Sequence, residues 1–301
     1  MANDVKEQFL TELSQRFGSL EKLSGSRSLF EVGTARVRVY IRYSKVHDRG
    51  QTFYGLRADD LKELEGHPSI VAFLWDTQTN PLIVPYADYE ALFQSLRPAR
   101  DGQFKVQVYP QEQGTELYIA TAGRFNVEAH LGWTALEQIA EAAGHERIPD
   151  LSHSQVQTLI GAIGVAKGFD IWVPSVDRAK LDWLIAKQFT CCDQLPLGFD
   201  IVRHILEEID VVWLQKGTTQ LRALFEVEHS TPIYSGLLRF NDIHLVAPNL
   251  QPRFSIVANN VRRDVFVRQL NRPTFKASGL TEMCNFLEYA NVFGWYKRAC
   301  E

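Results

Sequence analysis

The sequence predicts an α/β protein of two domains, a β-rich N-terminal domain and a C-terminal domain in which helices and strands alternate. Short runs with period-two alternation of apolar residues fill residues 28–132, whereas longer helical patterns separated by strands follow. A chain of 301 residues is long enough to bury two separate cores. A polar segment after Gly144 marks the predicted boundary, which gives domains 1–144 and 145–301.

The N-terminal domain begins with a predicted amphipathic helix over Asn3–Leu23, where apolar residues recur at helical spacing. Seven β-like runs separated by turn residues follow at the spacing of a small barrel or a twisted sheet. The runs are LFEV, ARVRVYIRYSKV, TFYGL, IVAFLWD, PLIVPY, FKVQVYP and ELYIATA. We therefore expect a barrel-like β domain, followed by a helix over Leu131–Gly144 that ends at its glycine.

The C-terminal domain shows the element order helix, strand, strand, strand, helix, strand (αβββαβ), with an extra helix between the first two strands. Each element is read from the period of its apolar residues. The predicted elements are a helix over Ser152–Lys167, the strand FDIWVPSVDR, a helix near Ala179–Gln188, two strands within Ile209–Leu214 and Leu221–Glu228, a helix over Ser235–His244, the strand PRFSIVAN and a helix over Val261–Leu270.

Composition excludes several classes of protein. A formal net charge of −4 and a pI of 6.1 are not those of a protein that binds nucleic acid through its overall charge. The chain lacks an apolar run of about 20 residues and an apolar N-terminal signal, so we expect a cytoplasmic protein without a membrane span. The four cysteines form no CxxC pair, which argues against structural zinc and a disulfide framework.

Three acidic residues interrupt the two apolar strands that flank the polar segment QKGTTQ. Asp210 falls near the start of the first strand, and Glu226 and Glu228 fall in the second. Because side chains alternate along a strand, both glutamates point to one face of the sheet. A buried, unpaired carboxylate costs several kcal/mol, and a divalent cation removes that cost. The pattern therefore favours a site where Asp210 and Glu226 supply oxygen ligands to Mg²⁺.

Two other interpretations of the acids stay open at this point. The glutamates could form buried ion pairs with some of the seven arginines between Arg222 and Arg272, which would make them purely structural. Paired carboxylates could also serve as the acid and the nucleophile of a glycosidase. Acids at positions i and i+2 of one strand, with a third acid beside them, suit a metal cluster better than a glycosidase.

An acid before a hairpin, then an acid-x-acid strand followed by a helix, resembles the PD-(D/E)XK nuclease superfamily, which includes many type II restriction endonucleases. The motif residues are Asp210, Glu226 and Glu228. The resemblance implies a restriction-endonuclease-like αβββαβ core, Mg²⁺ as cofactor, double-stranded DNA as substrate and a homodimer that cuts both strands. In this reading Asp210 and Glu226 hold the metal, and all three acids are catalytic.

The third position of the motif departs from the common pattern, because Glu228 stands where the family usually has lysine. No lysine lies between Gly217 and Phe275 that could take its place. Glu228 therefore either orients the attacking water or leaves the site weakened. The alternative function is a catalytically inactive DNA-binding protein built on a nuclease fold.

Several basic residues are candidates for contacts with DNA. A stretch with alternating basic and tyrosine residues in the N-terminal domain resembles a DNA-binding stripe, and arginine suits bidentate contact with phosphate. An exposed strand face or a surface loop is the structural alternative for each of them. The candidates are Arg36, Arg38, Arg42 and Lys45 in the N-terminal domain, Arg239 on the helix after the acidic strand, and Arg272 in the segment RQLNRPTF.

Overall fold

The computed structural model describes residues 2–23, 25–47, 50–76, 78–111, 114–145, 148–196 and 198–301. The chain divides into two compact units, Met1–Glu146 (unit 1) and Arg147–Glu301 (unit 2). The predicted boundary segment includes residues 146 and 147, which lie outside the described residues. Each unit has its own buried apolar clusters.

Unit 1 contains four helices and nine strands within its described residues. In chain order they are α1 (Ala2–Phe17), β1 (Leu20–Lys22), β2 (Leu29–Val32), β3 (Val37–Ser44), β4 (Thr52–Arg57), α2 (Ala58–Leu64), β5 (Ser69–Trp75), β6 (Leu82–Pro85), α3 (Glu90–Ser95), β7 (Gln103–Gln111), β8 (Gly114–Ile119), β9 (Gly123–Asn126) and α4 (Thr134–His145). All seven predicted runs contain a strand, and β1 and β9 are additional.

The strands of unit 1 form two sheets, and neither closes into a barrel, so the barrel-like prediction is wrong. The order is β1-β2-β3-β5-β6 in one sheet and β4-β7-β8-β9 in the other. Strands β3 and β5 pair in parallel, which requires a crossover, and β4 and α2 lie in that connection. Because β4 leaves to pair with β7, the chain builds two sheets that share a core instead of one closed sheet.

Strand β3 is central in its sheet and is covered on both faces, so Arg38 of the predicted basic stripe is buried. Tyr40 packs in one core cluster, and Val39 and Ile41 pack in the other. Arg38 is only 3% exposed and lies 3.3 Å from a Glu63 carboxylate oxygen. Its guanidinium is therefore paired inside unit 1 and does not lie on the surface, where a phosphate would bind.

The other three basic candidates of unit 1 keep some exposure. Arg36 lies in the turn before β3 with φ of 50°, and its guanidinium is 3.3 Å from the Glu31 carboxylate. Arg42 is half-buried with its guanidinium over the Tyr40 ring. Lys45 follows the end of β3 and is exposed. The contact of these three residues with DNA stays a prediction.

Unit 2 contains seven helices and five strands among its described residues, and none of the described helices of the chain is long and apolar enough to cross a membrane. In order they are α5 (His153–Ala166), β10 (Phe169–Trp172), α6 (Ser175–Arg178), α7 (Arg203–Leu206), β11 (Val211–Gln215), β12 (Leu221–Val227), α8 (Ile233–Val246), β13 (Arg253–Ala258), α9 (Arg263–Leu270), α10 (Pro273–Ser278), β14 (Cys284–Glu288) and α11 (Tyr289–Cys300).

The five strands of unit 2 form one mixed sheet between two layers of helices. The order is β10-β11-β12-β13-β14, with antiparallel pairing up to β12 and parallel pairing from β12 to β14. On one face Leu224 packs with Leu237 and Phe240 of α8. On the other face Phe225 packs with apolar residues of α5 and α11. A mixed α/β fold is therefore confirmed for the chain.

The predicted helix near Ala179–Gln188 is absent, and this part of the chain is a loop with turns. The Asp182 N–H donates to Thr158 Oγ1 at 2.9 Å, and the Asp182 carboxylate accepts from the Leu184 N–H at 2.9 Å. Such side-chain bonds to the backbone compete with helical hydrogen bonds. Leu181 and Ala186 are buried, whereas Leu184 is 99% exposed, so the apolar pattern does not mark a helix face.

Candidate active site

The predicted acidic site lies at one edge of the unit 2 sheet. The parallel pairing of β12 with β13 aligns Val227 with Val257, so both strands end at this edge. The antiparallel pairing of β11 with β12 places Val211 opposite Phe225, which brings Asp210, one residue before β11, to the same edge. Side chains that follow neighbouring parallel strands gather at such an edge, where α/β proteins place their sites.

Glu226 and Glu228 point to the same face of the sheet, as their alternation predicts, and that face is covered by α8. Gly236 of α8 lies directly over them: a Cβ added there would be 2.8 Å from Glu228 Oε1 and 3.1 Å from Glu226 Cβ. Only glycine lets the helix approach the strand this closely. As a result, Glu226 is 1% exposed and Glu228 is 2% exposed.

Asp210 is fixed by groups from β12 and from the first turns of α5. Its Oδ2 accepts a hydrogen bond of 2.7 Å from the Val227 N–H. Its Oδ1 is 3.3 Å from His153 Nε2 and accepts a bond of 3.4 Å from Gln157 Nε2. His153 and Gln157 are four residues apart in α5 and therefore lie on one side of it. A capping box begun by Ser152 fixes the start of that helix.

Arg239 of α8 forms a bidentate ion pair with Glu226. Its Nε lies 2.8 Å from Oε1, and its Nη2 lies 3.2 Å from Oε2. The Glu226 carboxylate is buried, whereas 28% of the Arg239 side chain is exposed. An ion pair with arginine, the structural alternative for the acids, is thus present for Glu226.

Glu228 makes a different set of contacts. Its backbone N–H donates to the Val257 carbonyl at 2.8 Å, which continues the pairing of β12 with β13. Its carboxylate accepts a short hydrogen bond from the Thr231 hydroxyl. Arg262, which follows β13, donates to the backbone carbonyls of Glu228 and Thr231. The loop that leaves β12 is therefore held by both its own threonine and an arginine from the neighbouring strand.

Burial and neighbouring charges change the pKa values of Glu226, Glu228 and His153. Burial, and then the Asp210 charge, raise the pKa of Glu226 well above its usual value, although Arg239 opposes the change. Burial is also the largest cause that raises the pKa of Glu228, with Asp210 adding to it. The Asp210 carboxylate raises the pKa of His153 through their hydrogen bond. The site is therefore a cluster of electrostatically linked groups.

We expect the metal-free protein to lose stability as pH rises from the ordinary pKa of glutamate to beyond that of histidine. Glu226 and Glu228 have raised pKa values in the folded state, so folding binds protons above the ordinary glutamate pKa, about 4.3. The raised pKa of His153 acts in the same direction above about 6.5. Urea unfolding in EDTA across this range measures the slope. Glu226→Gln should make it shallower, and an equal slope in both proteins would contradict this.

Four residues at the site are not predicted by the sequence patterns: His153, Gln157, Thr231 and Arg262. The sequence holds a partial signal for Gln157, because it is a polar residue in a largely apolar helix. Its full burial is visible only in the structure. His153 and Arg262 carry no such signal, since each lies at a helix or loop position where exposed polar residues are common. Their proximity to the acids depends on strand pairing between distant parts of the chain.

The donor types at the site suit Mg²⁺. Mg²⁺ is usually held by one or two carboxylates, with waters and substrate phosphate completing its shell. Asp210 and Glu226 provide two carboxylates at one sheet edge, and the buried position of Glu226 makes a compensating cation favourable. Within the described residues, no group of three or more His, Cys, Asp or Glu side chains is arranged to hold an ion.

The structure brings four of the predicted residues together: Asp210, Glu226, Glu228 and Arg239. Arg272 lies at the start of α10 instead, with its guanidinium 4.6 Å from the Tyr234 ring centroid and a hydrogen bond of 3.2 Å to Gln269. Arg36, Arg38, Arg42 and Lys45 belong to unit 1.

The segment that carries this site matches a known protein family. The model of the "Type II restriction enzyme NmeDI C-terminal domain" matches residues 136–299, which is more than half of the chain. This chain belongs to that family. The NmeDI match begins inside α4 and includes almost all of unit 2, with every acid of the site. The predicted resemblance to type II restriction endonucleases is confirmed at the level of the family.

A curated relative of the same type supports the family assignment. The type II restriction enzyme NmeDI from Neisseria meningitidis serogroup C is 33% identical over 134 residues. The aligned segment covers 41% of this chain and 37% of the relative, so well under half of that protein is matched. No solved structure gives a significant match.

Proposed function

We propose that the chain is a Mg²⁺-dependent endonuclease that hydrolyses phosphodiester bonds of double-stranded DNA at a specific sequence, as a type II restriction enzyme. The observation that carries the proposal is the cluster of Asp210, Glu226 and Glu228 at one sheet edge, within the segment that matches the NmeDI family. Family membership favours this function over a glycosidase, the other enzymatic interpretation of paired carboxylates.

The order of elements in unit 2 supports a restriction-endonuclease-like core. Helix α5 is followed by β10, β11 and β12, then by α8 and β13, which is the order αβββαβ apart from the short helices α6 and α7. Strands β10, β11 and β12 pair in antiparallel fashion, and β12 pairs in parallel with β13. The acids lie at the edge of the sheet where β12 and β13 end. We infer that this sheet is the nuclease core and that α8 supplies the lid of its acidic face.

Asp210 and Glu226 would hold Mg²⁺ in this mechanism. The ion, when bound, supplies charge stabilisation at the phosphate and lowers the pKa of a bound water. The Val227 N–H and Gln157 orient the Asp210 carboxylate. Glu228, held by Thr231, would orient the attacking water. Arg239 would neutralise the Glu226 carboxylate until the ion takes the place of the guanidinium. Attack of water on phosphorus would form one P–O bond and break another; the attacking water loses a proton, and the leaving oxygen takes one up from solvent.

We further propose how DNA is bound and how both strands are cut. One site of this kind per chain cuts one strand, so a homodimer would cut both. Phosphate contacts would come from Arg272 in unit 2 and from Arg36, Arg42 and Lys45 in unit 1. Unit 1 would then serve in recognition, and unit 2 in cleavage.

Digestion of a large unmethylated DNA tests the proposed function. We expect purified full-length protein to give discrete fragments in Mg²⁺ and no fragments in EDTA. Sequencing the fragment ends would reveal one shared recognition sequence. A random smear would argue against a specific enzyme, and intact DNA on unmethylated and methylated substrates would contradict the endonuclease.

The second candidate function is a DNA-binding protein on an inactive nuclease fold. Two observations favour it: the common lysine is replaced by Glu228, and Arg239 already neutralises Glu226. Asp210→Asn separates the two functions. If a biological effect of the chain survives this change together with DNA binding, the inactive protein is the better account.

We expect divalent metal to stabilise the protein against unfolding. Crowded carboxylates repel one another without metal, and a bound ion contributes RT ln(1 + [L]/Kd), about 2.7 kcal/mol at 100 times Kd. Calorimetry with Mg²⁺, Mn²⁺ or Ca²⁺ should show a higher melting temperature than in EDTA. Glu228→Lys should stabilise the metal-free protein and reduce the shift, because lysine removes part of the repulsion. If neither change moves the transition, the acids do not share a metal site.

A further inference from the structure

Arg262 places a positive charge at the acidic sheet edge through contacts that do not neutralise it. Its Nη1 donates to the Glu228 backbone carbonyl, and its Nη2 donates to the Thr231 backbone carbonyl. Among the described residues, no carboxylate lies within ion-pair distance of Arg262. Carbonyl oxygens orient a guanidinium and leave its net charge in place. The charge nevertheless acts on Glu228, whose carboxyl lies nearby.

The two other arginines near this edge are engaged by acids. Arg239 is bound in bidentate fashion by Glu226. Arg263 has its Nε 3.5 Å from Glu288 Oε1. Arg262 differs from both, because backbone carbonyls and not carboxylates fix its guanidinium; like the other two, its side chain is half-buried. An incoming anion can therefore reach it without first breaking an ion pair.

The position of Arg262 in the fold explains why it meets the acidic strand. Strands β12 and β13 are parallel neighbours, and the Glu228 N–H bonds to the Val257 carbonyl. The chain after β13 turns through a short 3-10 helix, Asn260–Arg262, capped by the Asn259 side chain. That turn returns Arg262 to the loop that leaves β12. The Arg262 guanidinium is thus supplied by the chain that follows the adjacent strand, β13, and not by the acidic motif itself.

We propose that Arg262 binds the scissile phosphate and supplies the positive charge that a lysine at the position of Glu228 would otherwise provide. This inference rests on the proposed endonuclease function. A guanidinium has five N–H donors, and the two carbonyl bonds leave three for phosphate oxygens. Charge that builds on the phosphate during attack is stabilised best by a donor already held in place. Arg262 is therefore a catalytic residue for the same reaction.

Rescue by a lysine in the acidic strand tests the proposal. In single-turnover cleavage of a duplex whose site has been mapped, Arg262→Gln should slow the reaction by about 100-fold or more. Adding Glu228→Lys to Arg262→Gln should restore at least tenfold of that loss, whereas a purely structural role for Arg262 would give no rescue. Arg262→Lys keeps the charge, so its cleavage rate should fall between those of Arg262→Gln and wild type. Thermal unfolding of each variant shows whether it is folded.

DNA binding in Ca²⁺ provides a second measurement that needs no cleavage. If Arg262 contacts a phosphate, Arg262→Gln should lower the salt dependence of duplex binding by about one unit of slope. Lys216→Gln is the matched control, because Lys216 is an exposed cation in the hairpin after β11, at the opposite edge of the sheet. The cleavage rate of Lys216→Gln should stay at the wild-type value.

The outcomes separate this inference from the proposed function. Wild-type protein that cuts no DNA overturns the endonuclease, and the salt slope then decides about Arg262 alone. The role of Arg262 is overturned if wild-type protein cuts DNA and Arg262→Gln cuts it at a rate within threefold, with the same salt dependence of duplex binding. Folded Arg262→Gln could also lose cleavage and not regain it when Glu228→Lys is added. That result overturns the proposal that Arg262 supplies the charge of a lysine at the position of Glu228.

Discussion

Glu226→Gln will reduce DNA cleavage by at least about 10³-fold while leaving DNA binding nearly unchanged. The carboxylate is buried at the sheet edge and would be a ligand of Mg²⁺, and an amide oxygen without charge is a poor substitute. The change keeps the shape of the side chain, so α8 can pack over it as before. Single-turnover cleavage in Mg²⁺ and duplex binding in Ca²⁺ measure the two effects separately.

Asp200→Asn is the matched control for this prediction. Asp200 is 81% exposed in its side chain, and its recorded ion pair is with Arg203 at 3.7 Å. We expect this variant to cleave at the wild-type rate. Glu226→Gln that cleaves within tenfold of wild type would show that Glu226 is a structural partner of Arg239 and not a metal ligand.

Arg239→Met will destabilise the metal-free protein and make it more dependent on metal. Removing one partner of a buried ion pair leaves the other charge uncompensated, and partial exposure of Arg239 reduces the cost to about 2–3 kcal/mol. Metal at the site replaces the lost cation. We therefore expect a larger rise in melting temperature with Mn²⁺ for Arg239→Met than for wild type, measured by calorimetry.

A double-mutant cycle shows whether the loss comes from the ion pair itself. In a protein that already carries Glu226→Gln, Arg239→Met should cost about 2 kcal/mol less than in wild type. Arg268→Met is a suitable control, because Arg268 is an exposed arginine on α9. Equal costs of Arg239→Met in both backgrounds would mean that the guanidinium stabilises the fold through packing alone.

Strand positions in unit 1 could be predicted because alternation of apolar residues is a local property. Whether those strands close into a barrel could not be predicted, because closure depends on which distant strands pair. The parallel pairing of β3 with β5 sends β4 to another sheet, and no local pattern signals that crossover. Arg38 illustrates the same limit: its face of β3 follows from alternation, but the cover over that face does not.

The acids of the site could be predicted because carboxylates inside apolar strands are costly and therefore rare. Their companions could not be predicted as reliably. His153 and Gln157 reach Asp210 across more than fifty residues of chain. The pairing of β10 with β11 and the packing of α5 on that sheet bring the two regions together. The place of Arg239 on the helix after the acidic strand could be predicted, but its ion pair with Glu226 depends on how closely α8 approaches β12 at Gly236.

The most direct test of the endonuclease compares wild type with Asp210→Asn on one unmethylated plasmid that contains the mapped site. Both proteins are purified in the same way, and each is incubated with and without Mg²⁺. We predict linear plasmid with uniform ends only for wild type in Mg²⁺, with Asp210→Asn bound to the DNA but inactive. Equal cleavage by both proteins, or none by wild type at any Mg²⁺ concentration, would contradict the assignment of these acids to a metal-dependent nuclease.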